Sequence, residues 1–272
     1  MTARPLDIAQ ARRELVLVAV LLVAFAQLVE RVDTFFVAGL LPVVVLVAGS
    51  AVVRGDERPG RPFEALLIPA TLTGGTAAAM HLVPPGLLLL PALAAFAWGL
   101  DRVLAMELRL LVQSSGTTDA DRSRILAAAV ITAFIAFTGI AALVPGGLPE
   151  PGTTAADAGL TEGWLLVLAL GDAVVAMLLG YRVAAARYGS ARDAARSAMT
   201  YAVVIAVAAG ALRAMDVPRL VGPAALTLVF YLWDALHATA PARRREPRFL
   251  WETILLAVLA VVVVGWNLRL RV

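Results

Sequence analysis

The chain has 272 residues, of which 61% are hydrophobic and only 16% charged, with a mean hydropathy of +0.85 and a formal net charge of +3. A soluble domain averages about 45–50% apolar and about 25% charged residues, so the composition excludes an ordinary water-soluble fold. There is no cysteine and no lysine, which excludes disulfides, thiolate catalysis, Cys-ligated metals, Schiff-base chemistry and phosphate loops built on a lysine.

Nine segments are apolar enough, and about seven of them long enough, to be membrane spans. The basic start, MTARPLDIAQARRELVLV, leads into span one over residues 15–29. It reads as a retained span, because no small-residue cleavage site follows it. Span two covers 34–53, with Pro42 as an expected kink. A polar loop, RGDERPGRPFE, fills 54–64. Spans three and four share the run 65–100, broken at Pro84-Pro85-Gly86, and span four continues as an amphipathic extension through Leu111. A polar loop over 113–124 precedes span five at 125–144. The loop 145–163 carries only acidic charges, Glu150, Asp157 and Glu162. Span six covers 164–186 and is followed by a basic segment to Arg196. Spans seven, eight and nine cover 197–212, 220–237 and 251–268, with the basic turn APARRREP at 240–247. The expectation is an all-α, polytopic integral membrane bundle of about nine transmembrane helices. It is one lead helix plus four hairpins, forming a single transmembrane domain over 1–272.

With the loops alternating, eighteen of the 23 arginines fall on one side. The positive-inside rule places that side in the cytoplasm. The N-terminus is then cytoplasmic, the C-terminus extracytoplasmic, and the chain a multi-pass protein of the cell (plasma) membrane. Trp164, Trp251 and Trp266 fall at span ends, where interfacial aromatics belong. Partners expected are the lipid bilayer and other membrane subunits. Arginines confined to loops at so small a net charge do not point to nucleic acid.

The costly residue is Asp172, eight residues into span six. That is about 12 Å at the helical rise, near the middle of a hydrocarbon core about 30 Å thick. A carboxylate there costs roughly 2.5–3.5 kcal/mol on insertion scales, so it must be paired, protonated or facing a polar cavity. It reads as an ion, proton or substrate site, or as a helix–helix hydrogen bond inside the bundle. The segments 101–106 and 172–177 share D-x-V-x-A-M, and Asp234-Ala-Leu is a thinner third copy. Three second helices end in Val-Pro, at 83–84, 144–145 and 217–218. A hairpin repeat with Asp101, Asp172 and Asp234 at matching places follows as an expectation.

His81 and His237 fall at opposite faces in this topology, so no shared metal site is expected. His237 lies three residues after Asp234, on the same helical face, as a proton relay or as a plain interfacial pair. Gly74-Gly75 reads as close helix packing. Arg243, Arg244 and Arg245 form an anionic-headgroup contact or a topology anchor. Nothing in the sequence names a cofactor.

The segment LGDAVVAMLLGYRVAAARYG, residues 170–189, resembles the Gly-Asp segment of the CTP-dependent polyprenol, phytol and diacylglycerol kinase group. The lysine and Ser/Glu/Gly signatures of that group have no counterpart here, nor does its early Arg-Lys…His element. The Gly171-Asp172 and Trp233-Asp234 pairs are similar to the Gly-Asp and Ser-Asp helices of the lysoplasmalogenase family, whose His-rich element is missing. Neither resemblance assigns the chain to a family.

Two functions fit these residues, beside a purely structural reading in which each Asp is paired locally. One is a non-enzymatic carrier or accessory membrane subunit, with Asp172 and Asp234 lining a polar centre. The other is a lipid-modifying enzyme that gathers Asp101, Asp172 and Asp234 near the inner face beside Arg102, Arg109 or Arg182, around a metal–phosphate or an activated headgroup.

Overall fold

The computed structural model describes residues 8–28, 62–84, 86–112, 117–149, 153–154, 156–188, 190–215, 217 and 220–238, with isolated positions at 39, 42, 45, 251, 254, 255 and 258. The described residues form seven α-helices: α1 (Ile8–Ala26), α2 (Pro62–Ala79), α3 (Leu89–Val112), α4 (Asp119–Leu143), α5 (Glu162–Ala185), α6 (Ala191–Ala214) and α7 (Val221–Ala238). A 3₁₀ turn, Met80–Leu82, extends α2. Six of the helices, α2 to α7, are long and apolar enough to cross a membrane. Of the nine spans expected, the second (34–53) and the ninth (251–268) lie outside the described residues except at those isolated positions, and the Arg243-Arg244-Arg245 turn lies outside them entirely.

Local chemistry sets the boundaries. α4 starts six residues before the expected position 125, because Thr118 and Asp121 form a capping box. Asp121 N donates to Thr118 Oγ1 at 3.2 Å and Thr118 N donates to Asp121 Oδ2 at 3.2 Å, so two orphan donors of the first turn are satisfied. Thr161 caps α5 in the same sense, accepting from Trp164 N at 3.4 Å. Between α2 and α3 the chain turns at Gly86, whose φ of 137° only glycine adopts easily.

The centre of the bundle is α2. Of its apolar window 83% is buried, against 50% or less for each of the other five apolar helices. It packs on α1, α3, α4 and α5, and small residues let it do so. A Cβ on Gly139 of α4 would sit 2.4 Å from the Gly75 carbonyl oxygen, and a Cβ on Gly75 would sit 2.7 Å from Ala136 Cα. The α2 and α4 backbones therefore touch at a crossing only glycine permits. α1 runs parallel to α2, since Gln27 at the end of α1 donates its side-chain amide to the Met80 carbonyl.

Two apolar cores result. Ala19 and Val23 of α1 meet Leu66 and Leu72 of α2 and Phe96, Leu100 and Leu104 of α3. A larger core joins α4 to α7 through Phe137, Leu168, Leu179, Tyr201, Ile205 and Phe230. The outward faces are apolar as well. Leu166, Leu170 and Val174 form an exposed stripe along α5, and Met199, Val203 and Val207 one along α6. A water-soluble bundle turns polar side chains outward. Helices apolar on both faces belong in lipid, and this chain is a multi-pass membrane protein.

The expected hairpin repeat does not appear as a repeated packing unit. α5 and α6 make the most extensive helix pair in the bundle, whereas the consecutive helices α3 and α4 scarcely touch. α4 packs on α2 and α5 instead.

Candidate functional site

Apart from Asp121, which is taken up by the α4 capping box, the buried charge of the described residues collects in three places, all involving α5 or α6. The first two lie at the end of the bundle where α3 and α5 finish and α4 and α6 begin, here called the arginine-rich end. There Glu107 of α3 meets Arg182 of α5. Arg182 Nε donates to both carboxylate oxygens at 3.0 and 3.1 Å, and Nη2 donates to Oε2 at 2.5 Å. Glu107 is 1% exposed and Arg182 6%. Beside them the Tyr181 hydroxyl reaches Glu64 Oε1 of α2 at 3.2 Å. These contacts tie α2, α3 and α5 together at one level.

The second place joins the α5–α6 turn to α7. Arg187 Nη2 donates to both oxygens of Asp234 at 2.5 Å, and the Tyr201 hydroxyl donates to Asp234 Oδ1 at 2.5 Å. Burial lowers the pKa of Arg187, but the hydrogen bond and charge of Asp234 outweigh it, so the guanidinium is held above its ordinary value and stays charged. Next to this triad Trp233 Nε1 donates to Thr200 Oγ1 at 3.0 Å. The α5 end is closed by α4: Thr117 Oγ1 and Arg122 Nε both donate to the Ala186 carbonyl, at 2.9 and 3.3 Å.

The third place lies deeper. Asp172 of α5 is 2% exposed and Arg213 of α6 is 7% exposed. The Arg213 charge acts on the Asp172 carboxylate, yet neither side chain has a hydrogen bond to the other. Asp172 Oδ1 and Arg213 Nη1 are both buried without a partner. Helix direction brings them together. Side chains tilt toward the N-terminus of their own helix, and α5 and α6 are antiparallel. Asp172 therefore leans toward the end where α6 finishes, and Arg213 leans back from that end toward Asp172. An unsatisfied buried polar group costs about 1–3 kcal/mol, more if charged. This is the one pair of opposite buried charges among the described residues that stands open rather than closed.

Comparison of the chain with protein-family models, with curated proteins and with solved structures finds no match. The site is therefore read from its own geometry.

That geometry separates the residues the sequence suggested. Asp101 pairs with Arg12 of α1 at 2.8 Å, with both side chains partly exposed. Asp172 faces Arg213, and Asp234 is taken by Arg187 and Tyr201. Each aspartate serves a different arginine, and among the described residues no three His, Asp or Glu side chains converge as a metal-holding group. The gathering of carboxylates on which a lipid-modifying enzyme would depend is not formed by Asp101, Asp172 and Asp234. Nor does Arg182 stand free for a phosphate, since Glu107 occupies it. His237 does not engage Asp234: its Nδ1 lies 3.0 Å from the Trp233 carbonyl oxygen and its ring 4.3 Å from the Trp233 ring.

Three further residues of these places, Glu107, Tyr201 and Arg213, are not among the sequence candidates. A signal for all three exists in helical spacing. Glu107 continues the buried stripe Phe96, Leu100, Leu104. Tyr201 and Arg213 lie on the stripe Ala194, Ala198, Tyr201, Ile205, Ala209, Arg213. A charge that prolongs an apolar stripe at three- or four-residue steps is a buried charge.

Proposed function

We propose that the chain is a non-enzymatic membrane carrier that moves a small polar solute past Asp172. The observation behind this reading is the open pair Asp172 and Arg213, each with a buried atom lacking a hydrogen-bond partner. A pair that served stability alone would be closed, as Glu107–Arg182 and Arg187–Asp234 are. Intramembrane ionisable groups left open are those that meet a solute or a proton. The two closed pairs at the arginine-rich end fit a bundle sealed there, with its polar centre beyond the seal. Asp234, a second candidate for that centre in the sequence, belongs to the seal in this reading. An accessory subunit would share the location but has no need of an open pair. The arginine asymmetry supports a cytoplasmic arginine-rich end; the plasma membrane is the location this reading assumes.

Reconstitution tests the proposal. Purified protein in liposomes loaded with amino acids, small carboxylates, small amines and inorganic anions is expected to release at least one of these classes faster than protein-free liposomes. Asp172→Asn is expected to abolish that release. Equal leakage from all three preparations for every solute refutes the carrier reading.

A further inference from the structure

Arg213 is near the start of α7. A Cβ built on Gly222, the second residue of α7, would lie 4.0 Å from Arg213 Nη2, with nothing nearer. Among the described residues the α7 N-terminus has no side-chain cap to offer. Leu220, whose carbonyl accepts from Ala224 N at 3.0 Å, carries no polar atom. The first amides of a helix have no intrahelical acceptor, and Pro223 has no N–H at all, so Val221 and Gly222 present the free donors of this end. Helix N-termini attract anions through such donors and through the macrodipole. A guanidinium held there is repelled by the same dipole unless an anion joins it. Arg213, 7% exposed and with Nη1 unpartnered, supplies the second and independent donor. The Arg213 side of the open pair thus carries the donors that a carboxylate needs. The other side is the buried Asp172 carboxylate, whose free Oδ1 asks for a cationic donor.

We propose that Arg213 and the amides of Val221 and Gly222 hold the carboxylate of a short amino acid-like zwitterion, whose ammonium group is held by Asp172. This rests on the carrier reading for its purpose and names the substrate class of that same site. A zwitterion with adjacent charges satisfies both orphan atoms at once, and leaves the buried site electrically neutral. A simple anion leaves Asp172 unpaired and adds repulsion. A simple amine leaves Arg213 unpaired. Gly222 matters because the absent side chain leaves the helix amides open to the carboxylate.

Thermal unfolding of the purified protein in detergent, with glycine, L-alanine, L-leucine, ethylamine, isopentylamine, acetate and isovalerate as probes, tests the site. At least one of the amino acids is expected to raise the Tm in a saturable manner, and neither the amines nor the carboxylates to do so. Asp172→Asn and Arg213→Gln are expected to abolish the shift. Because either could unfold the bundle, Gly222→Ala provides a gentler variant. Its methyl meets only van der Waals contact, so the unliganded Tm should hold while the apparent affinity falls about tenfold, equivalent to the loss of about one charge-assisted hydrogen bond. Equal shifts with acetate or isovalerate overturn the proposal in favour of a plain anion site, and no shift with any probe overturns it outright. Liposome flux separates this from the carrier reading. Amino-acid binding without flux leaves the site standing and removes the carrier. Asp172-dependent flux of another solute class, without amino-acid binding, leaves the carrier and removes this substrate class.

Discussion

Arg187 grips Asp234 across 47 residues of sequence, one guanidinium nitrogen reaching both carboxylate oxygens at 2.5 Å. The contact pins the turn between α5 and α6 to the flank of α7. Asp234 is fully buried while the Arg187 side chain is 16% exposed, so the two are not equivalent to mutation. Arg187→Ala strands a buried carboxylate and is expected to lower stability by about 3–5 kcal/mol. Asp234→Ala leaves a cation that can turn toward water and is expected to cost less. Tyr201→Phe removes one of the bonds to Asp234 and is expected to cost about 1–3 kcal/mol. Unfolding in mixed micelles with increasing denaturing detergent checks the order.

The Glu107–Arg182 pair predicts a different pattern, since both members are buried. Glu107→Met and Arg182→Leu singly each leave an uncompensated charge and are expected to cost about 3–5 kcal/mol. The double variant is expected to recover most of that loss, because two apolar side chains need no partner. A double-mutant cycle measures the coupling. Additive losses would show that the pair does not act as a unit.

The crossing of α2 and α4 predicts which glycines are replaceable. Gly139→Ala pushes a methyl group to 2.4 Å from a backbone oxygen and is expected to cost about 1–3 kcal/mol. Gly99→Ala and Gly210→Ala, with nothing within 4 Å of the added carbon, are expected to be neutral or to stabilise by up to about 1 kcal/mol through helix propensity. Tm values of the three variants in one detergent settle the comparison.

The outward stripe of α5 predicts a membrane-specific penalty. Leu170 is 55% exposed. On a soluble bundle Leu170→Arg would be harmless. In lipid it is expected to raise the apparent insertion free energy of the segment by about 2.5–3.5 kcal/mol, relative to an isosteric apolar change such as Leu170→Met. A glycosylation-based insertion assay reads the difference directly.

Much of the fold could be read from the sequence, because lipid demands long apolar helices and the chain has little else. The break at Pro84-Pro85-Gly86 and the burial of Asp172 and Asp234 followed from single costly residues. The position of α2 at the centre did not. It is one of several helices apolar all round, so periodicity gives no face and the sequence looks the same whether the neighbours are lipid or protein. Only its density of Gly, Ala and Thr hints at close helix contact. The arginine partners were hidden for a related reason. Near helix ends arginine is ordinary, and a side chain that leans back into the bundle looks in sequence like one that leaves it. The D-x-V-x-A-M match misled because an Ala/Val/Leu-rich chain repeats short patterns that the packing does not repeat.

The central place of α2 sets a timing problem for synthesis. Gly75 leaves the ribosome about 60 residues before its partners Ala136 and Gly139, which at about 5–20 residues per second is an interval of about 3–12 seconds. Throughout that interval the future core of the protein sits in the translocation site or in lipid with its hydroxyl-bearing threonines and its glycine notch uncovered. The later helices α4 and α5 must therefore close on an element inserted well before them, and α6 and α7 are added to those helices in turn, so the bundle is completed from its centre outward.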